Sequence, residues 1–156
     1  MIRKSVDLVN KGVNAPDEVL DAIHGVMHAW RSRQYQVLRE AEQPVTHVEG
    51  KALGFFARHP GATQSELVAH TGRDKGQLAR LIAGLRERGL LEARADEADR
   101  RSQHLHLTAE GEAAHQALRR QAKKLATVAV KGLDEGERQQ LLALLERVRA
   151  NLDQAD

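Results

Sequence analysis

The sequence predicts a mainly α fold with one small β-hairpin: a winged helix-turn-helix domain set between N- and C-terminal dimerisation helices. Helix-start signals recur along the chain. Thr46 with Glu49, Thr63 with Glu66, Asp74 with Gln77 and Asp134 with Glu137 have capping-box spacing, in which the first side chain satisfies an orphan backbone N–H and the third position reaches back. The stretches TQSELVAHTG (63–72) and RDKGQLARLIAGLRERG (73–89) read as two short helices joined by a tight turn. LLEARADEADRRSQHLHLT (90–108) then reads as two short strands around a loop of acids and paired arginines. A short helix, a helix with a basic outer face and a basic wing, in that order, suit duplex DNA.

Each element has its own signal. Pro16 fits the first turn of a helix over about 16–40, because its missing N–H costs nothing there. Leu20, Ile23, Met27, Trp30 and Leu38 form its apolar stripe. A second helix, about 46–58, carries Leu53, Phe55 and Phe56 and stops at His59-Pro60-Gly61. Strands are expected over 90–95 and 102–107, with 96–101 as the loop. Thr108 before Ala109, Glu110 and Gly111 starts another helix without the full box. That helix, about 109–131, is alanine-rich. The last, about 135–152, spaces Leu141, Leu144, Leu145, Val148 and Leu152 along one face. The expected organisation is an N-terminal dimerisation helix (1–45), a winged helix-turn-helix domain (46–108) and C-terminal dimerisation helices (109–156), packed as one unit.

The composition narrows the function. Of 156 residues, 24 are Lys or Arg and 22 are Asp or Glu, a formal net charge of +2. A uniformly basic coat is excluded, so any DNA footprint must come from clustering. Aromatics make up 3%, too few for stacking on splayed single-stranded bases. There is no cysteine, which removes disulfides, thiol sensing and thiolate metal sites together. No apolar run approaches the roughly 18 residues of a membrane helix, and no signal-peptide pattern opens the chain. A soluble cytoplasmic protein is expected, with no membrane partner.

On the second helix of the motif, Leu78, Leu81, Ile82 and Leu85 share the core face. Gly76 and Arg80 lie opposite, with Arg73, Ala79 and Ala83 close by and Lys75 and Gln77 on the flanks. Small residues let the backbone approach a groove, arginine forks onto guanine and glutamine onto adenine. Gln77 and Arg80 are therefore assigned to base edges, and Arg73 and Lys75 to phosphates or edges. A solvated helix face carries such charges too, but Gly76 and Gly84 each cost about 1 kcal/mol relative to alanine inside a helix. Either groove approach or close packing explains them. At the wing tip, Arg100 and Arg101 suit a narrow minor groove, with Asp99 placed to orient Arg101 through a bidentate pair; a bare surface ion pair is the alternative.

Residues 63–108 resemble the core of the MarR family of bacterial transcriptional regulators, and the resemblance extends over most of the chain. The wing carries it most specifically. The family pattern of Asp, any residue, Arg, Asp, any residue, Arg, closing on Leu-Thr, is met by Asp96, Asp99, Arg101, Leu107 and Thr108. The run Gln64-Ser65-Glu66-Leu67, then Leu81-Ile82 to Leu85 and Arg88-Gly89-Leu90-Leu91, matches the helix-turn-helix. Ala98 departs from the usual arginine, and Gly76-Gln77 replaces the more usual Ser or Thr. The resemblance implies a homodimer joined by its terminal helices, a pseudo-palindromic operator in double-stranded DNA and control by a small ligand. It makes Arg101 the wing arginine and Asp99 its orienting partner. The leucine stripes point independently to a second copy, which would set two recognition helices about one DNA turn apart.

Trp30, Tyr35, Phe55 and Phe56 are the aromatics of the chain, and all sit in the first two helices. They line a pocket for a small aromatic acid, or they are ordinary core. Of eight histidines, His24 and His28 stand at i, i+4, a spacing that chelates a metal from one helix face. A zinc-responsive regulator is thus a minor alternative; no metal or cofactor is assigned. His104 and His106 alternate onto one face of the second strand, where phosphate contact is expected. Arg119, Arg120, Lys123, Lys124 and Lys131 form an acid-free run, read as a solvated face or a wider footprint. No nucleophile elbow, phosphate loop or metalloprotease helix is present, so an enzyme is not expected. The remaining rival is a winged-helix protein-interaction module, which predicts a neutral recognition face.

Overall fold

The computed structural model describes residues 15–155. In chain order it contains α1 (Pro16–Glu40), α2 (His47–Arg58), α3 (Gln64–Thr71), α4 (Lys75–Glu87), β1 (Leu91–Ala95), β2 (Gln103–Leu107), α5 (Ala109–Ala129) and α6 (Glu135–Asp153). The mainly α winged helix-turn-helix class is as the sequence predicts. The capping boxes of Thr46, Thr63 and Asp134 are complete. At Asp74 the carboxylate accepts from the Gln77 amide at 2.9 Å, while no return bond from Gln77 forms.

The buried core lies between Val45 and Leu105. Phe56, Leu53, Leu67, Leu78, Leu85 and Leu90 are its most enclosed large side chains, drawn from α2, α3, α4 and the start of the hairpin. β1 and β2 pair antiparallel, with Leu91 opposite Leu107 and Ala93 opposite Leu105. The α2–α3 connection adds a third, single-bridge edge: Ala62 pairs with Leu105, and Gly61 donates to the Leu105 carbonyl at 2.9 Å. Gly61 takes φ +82° there, a conformation glycine adopts without strain.

The joint between hairpin and α5 explains why Thr108 lacks a full capping box. Its side chain accepts from the Gly111 amide at 3.0 Å, and its own amide donates to the Leu90 carbonyl at 3.2 Å. The third helical position is Gly111, where a Cβ would fall well inside contact distance of the Leu90 carbonyl oxygen. A glutamate cannot be built there. Gly84 differs: a Cβ at that position meets nothing within 4 Å, so intramolecular packing does not account for it.

The outer helices are different. α1 and α6 bury no residue, although Val26 is 67% exposed, Leu142 64% and Leu152 62%. No helix of the described residues is long and apolar enough to cross a membrane.

Two glycine substitutions should separate these roles. Gly111→Ala is expected to destabilise by about 1–3 kcal/mol, since backbone rather than a flexible side chain must move. Gly84→Ala should be neutral or stabilising by up to about 1 kcal/mol. Urea denaturation of both variants against the parent measures the difference; equal effects would contradict the packing described.

Candidate nucleic-acid interface

Two concave surfaces carry most of the clustered charge. The first is a groove of about 350 Å³ between α4 and the wing. Its wall includes Lys75, Ala79, Ala83 and Arg86 from α4, and Arg101 and Gln103 from the hairpin. Two alanines thus lie between two cations along the helix face, and the wing brings a further arginine to the same groove. Arg86 was not singled out from sequence. Its signal is its place one turn beyond Ala83, facing Gln103, whose Oε1 lies 3.5 Å from its Nη1. Gly76, Gln77, Arg80 and Arg100 are all exposed. A Cβ on Gly76 would lie 3.2 Å from the Asp74 capping oxygen, so glycine there also keeps the helix cap uncrowded.

Asp99 does not hold Arg101 as expected. Its carboxylate accepts from the Arg101 backbone amide at 3.0 Å, and Asp96 likewise accepts from the Ala98 amide at 2.9 Å. The acids of the wing shape the loop by closing two Asx turns, which leaves the Arg101 guanidinium outside any ion pair with Asp99.

His104 is a further correction. Rather than standing free for a phosphate, its half-buried ring is engaged within the chain: Nδ1 lies 2.7 Å from the Gly61 carbonyl oxygen and Nε2 lies 3.3 Å from Asp96 Oδ2. A carbonyl accepts, so Nδ1–H donates; both contacts are donor bonds when the imidazole is protonated. The Gly61 carbonyl, then the Asp96 carboxylate, raise the His104 pKa above the ordinary imidazole value. The Ala98 amide, then His104, lower that of Asp96. His104 therefore ties the wing loop to the α2–α3 connection. At the other end of α4, Arg88 binds the Pro44 carbonyl at 2.6 Å and Glu49 at 3.3 Å.

The second concavity is a cavity of about 700 Å³ walled by α1, α2, α5 and the α3–α4 turn. α2 faces it with His47, Gly50, Lys51, Gly54 and Arg58, a helical i, i+3, i+4, i+7, i+11 set. Arg73, assigned to DNA from sequence, lines this cavity. None of the four aromatics does. Phe55 and Phe56 are 5% and 1% exposed in the core, in edge contact at 5.3 Å, and the Phe55 ring lies 5.0 Å from that of His70. Tyr35 is 51% exposed and lies against the His47 ring at 5.7 Å, while Trp30 is half-buried on α1. For Phe55 and Phe56 the core alternative is the one the structure takes, and the four rings do not form one pocket. Among the described residues no group of three His, Asp or Glu side chains is placed to hold a metal ion.

A buried trihelical core, a helix lined with small residues and cations, and an arginine-tipped hairpin sharing one groove define a winged-helix transcription regulator. A sequence profile of the MarR family matches residues 44–102. The HTH-type transcriptional regulator YybA of Bacillus subtilis is 30% identical over 131 residues, 78% of this chain and 87% of its own length. The HTH-type transcriptional repressor NicR of Pseudomonas putida is 23% identical over 137 residues, 86% of this chain and 87% of its own. Streptococcus pneumoniae FabT, solved in complex with DNA, shares the fold with a TM-score of 0.78 at 20% identity, covering 89% of this chain and 98% of that one. The chain belongs to the MarR family of transcriptional regulators.

The His104 anchor has a signed pH dependence. A raised histidine pKa gives a contribution complete below the ordinary imidazole value and lost as pH rises through the folded value. A lowered carboxylate pKa gives one complete above the ordinary carboxylate range and lost as pH falls through the folded value. The wing is therefore held best between those two ordinary values and loosens on the alkaline side. Wing amide resonances followed by NMR should titrate together with the His104 ring, and His104→Asn should abolish that shared transition; wing shifts independent of the ring would contradict the anchor.

Proposed function

We propose that this protein is a dimeric repressor that reads a pseudo-palindromic operator and changes its DNA affinity on binding a small ligand. The groove between α4 and the wing carries this reading. Lys75, Arg86 and Arg101 stand around a floor of Ala79 and Ala83, with Gln77 and Arg80 exposed on the same helix. Lys75 and Arg86 neutralise phosphates and fix register. Gln77 and Arg80 read base edges in the major groove, Gly76 permits close approach, and Arg100 and Arg101 enter the adjoining minor groove. Asp99 serves by shaping the loop. The cationic face is opposite to what a protein-interaction module requires.

Dimerisation follows from the outer helices. Leu141, Leu144 and Leu145 are 43%, 47% and 40% exposed along one face of α6, and exposure of such a stripe is costly for a monomer in water. A twofold pairing through α1, α5 and α6 covers it and presents two grooves to one duplex. The repressor sign is supported by the naming of NicR. Ligand response is supported by the large second cavity, whose wall includes Arg73, two residues before Lys75 of the groove.

The test uses the upstream intergenic duplex and fluorescence anisotropy. Arg101→Ala should weaken binding by about tenfold or more. Lys75→Ala should weaken all sequences alike and reduce the slope of log K against log salt by about 1. Unchanged affinity in both would overturn the groove assignment. For the dimer, Leu141→Asp with Leu145→Asp should yield a folded monomer in sedimentation, whereas a parent that is already monomeric at micromolar concentration would contradict the twofold arrangement.

A further inference from the structure

We infer that the cavity between α1, α2 and α5 binds a small polyanion, a molecule bearing two or more carboxylate or phosphate groups, and not the small aromatic acid that is one of the two readings of the ring content. The inference rests on the ligand-responsive reading above and names its ligand class.

The cavity wall contains Lys51, Arg58, Arg73 and Arg119 and no aspartate or glutamate. The chain as a whole is nearly balanced, with 24 basic and 22 acidic residues, so this is local segregation. None of the four cations has an ion-pair partner among the described residues, whereas Arg88, Arg94 and Arg149 on other surfaces each have one. Like charges gathered around one concave space repel one another, and a multiply charged anion relieves that repulsion where a monoanion leaves most of it.

Three histidines, His47, His70 and His115, complete the polar wall. Burial and then Lys51, Arg73 and Arg31 lower the pKa of His47. Burial lowers that of His115, with Arg119 and Arg58 adding to it and Glu112 opposing. Glu112 is engaged by the Gln116 amide at 3.0 Å. Burial leads at both rings; cations alone add to it at His47, while at His115 Glu112 outweighs either arginine. The floor is aliphatic, with Val37, Leu118 and Leu125, and the wall has no Phe, Tyr or Trp ring. Gly50 and Gly54, one turn apart on α2, keep it open: a Cβ on Gly54 would stand 3.3 Å from Arg58 Nη1 and 3.6 Å from His115 Cε1.

Two consequences follow. An entering anion offsets the cations around His47 and His115, so their rings take up protons on binding and affinity rises as pH falls. Arg73 also lies in the same short turn as Asp74, which caps α4, and Lys75, which lines the DNA groove. An anion drawing on Arg73 therefore acts on the first turn of the recognition helix.

The experiment is isothermal titration of the full-length protein with citrate, with inorganic pyrophosphate and with benzoate, each in two buffers of different ionisation enthalpy. Saturable binding of citrate or pyrophosphate is expected, with net proton uptake and an affinity that falls from about pH 6 to about pH 8. Citrate alone would assign a polycarboxylate, pyrophosphate alone a phosphorylated ligand, and both a site that reads charge density. Arg58→Gln with Arg119→Gln should lose about tenfold or more, while Arg120→Gln, outside the wall, should not. The inference is overturned by no saturable binding of either polyanion up to about 10 mM, by tighter binding of benzoate, or by an unaffected double variant that still melts cooperatively. It is overturned equally if that double variant loses only duplex affinity, which would make the cations phosphate contacts. No DNA enters the titration: a protein that takes citrate yet ignores duplex refutes the regulator reading alone.

Discussion

Leu90 is the point on which the molecule turns. Its side chain is fully enclosed, its amide donates to the Leu85 carbonyl at the end of α4, and its own carbonyl accepts from Thr108 at the far end of the hairpin. Gly111 leaves room for that carbonyl at the first turn of α5. One residue therefore couples the recognition helix, both strands of the wing and the helix that leads to the outer surface. A wing fixed only by its two strands would be marginal in water. Held at this joint and at the His104 anchor, it keeps Arg101 across the groove from Lys75.

The same chain separates two jobs that both use positive charge. In the groove, cations flank a pair of alanines. In the cavity, cations surround an aliphatic floor opened by glycines. The two surfaces share no wall residue, and the short segment Arg73-Asp74-Lys75 runs between them. Coupling between two sites requires an element whose arrangement both ligands bias. The capped first turn of α4 meets that description, because the Asp74 cap is single and the return bond of a full box is missing.

Much of this was legible in the sequence, for a physical reason. Capping signals and apolar periodicity are local, so all eight elements fall within a few residues of their expected bounds, and the MarR-type wing is spelled out from Asp96 to Thr108. Facing is less local. Phe55 and Phe56 belong to the expected helix, yet its core side takes them, while Gly50 and Gly54 open the other. Arg73 lies in the turn before α4, and only the fold shows that it lines the second cavity. His104 shows the same limit: strand alternation fixes its side of the hairpin, but only the fold brings the Gly61 carbonyl to that side. The incomplete box at Thr108 was visible as an absence whose cause, the Leu90 carbonyl, lies 18 residues earlier in sequence.

The central claim is that two copies of the α4–wing groove read one duplex. Its most direct test is titration of the protein onto its own upstream intergenic DNA and onto a scrambled duplex of equal length, at several salt concentrations. The account predicts two chains per duplex, preference for the natural sequence, and log K falling steeply and linearly against log salt. Absence of binding at every salt concentration, with the protein folded, would contradict it.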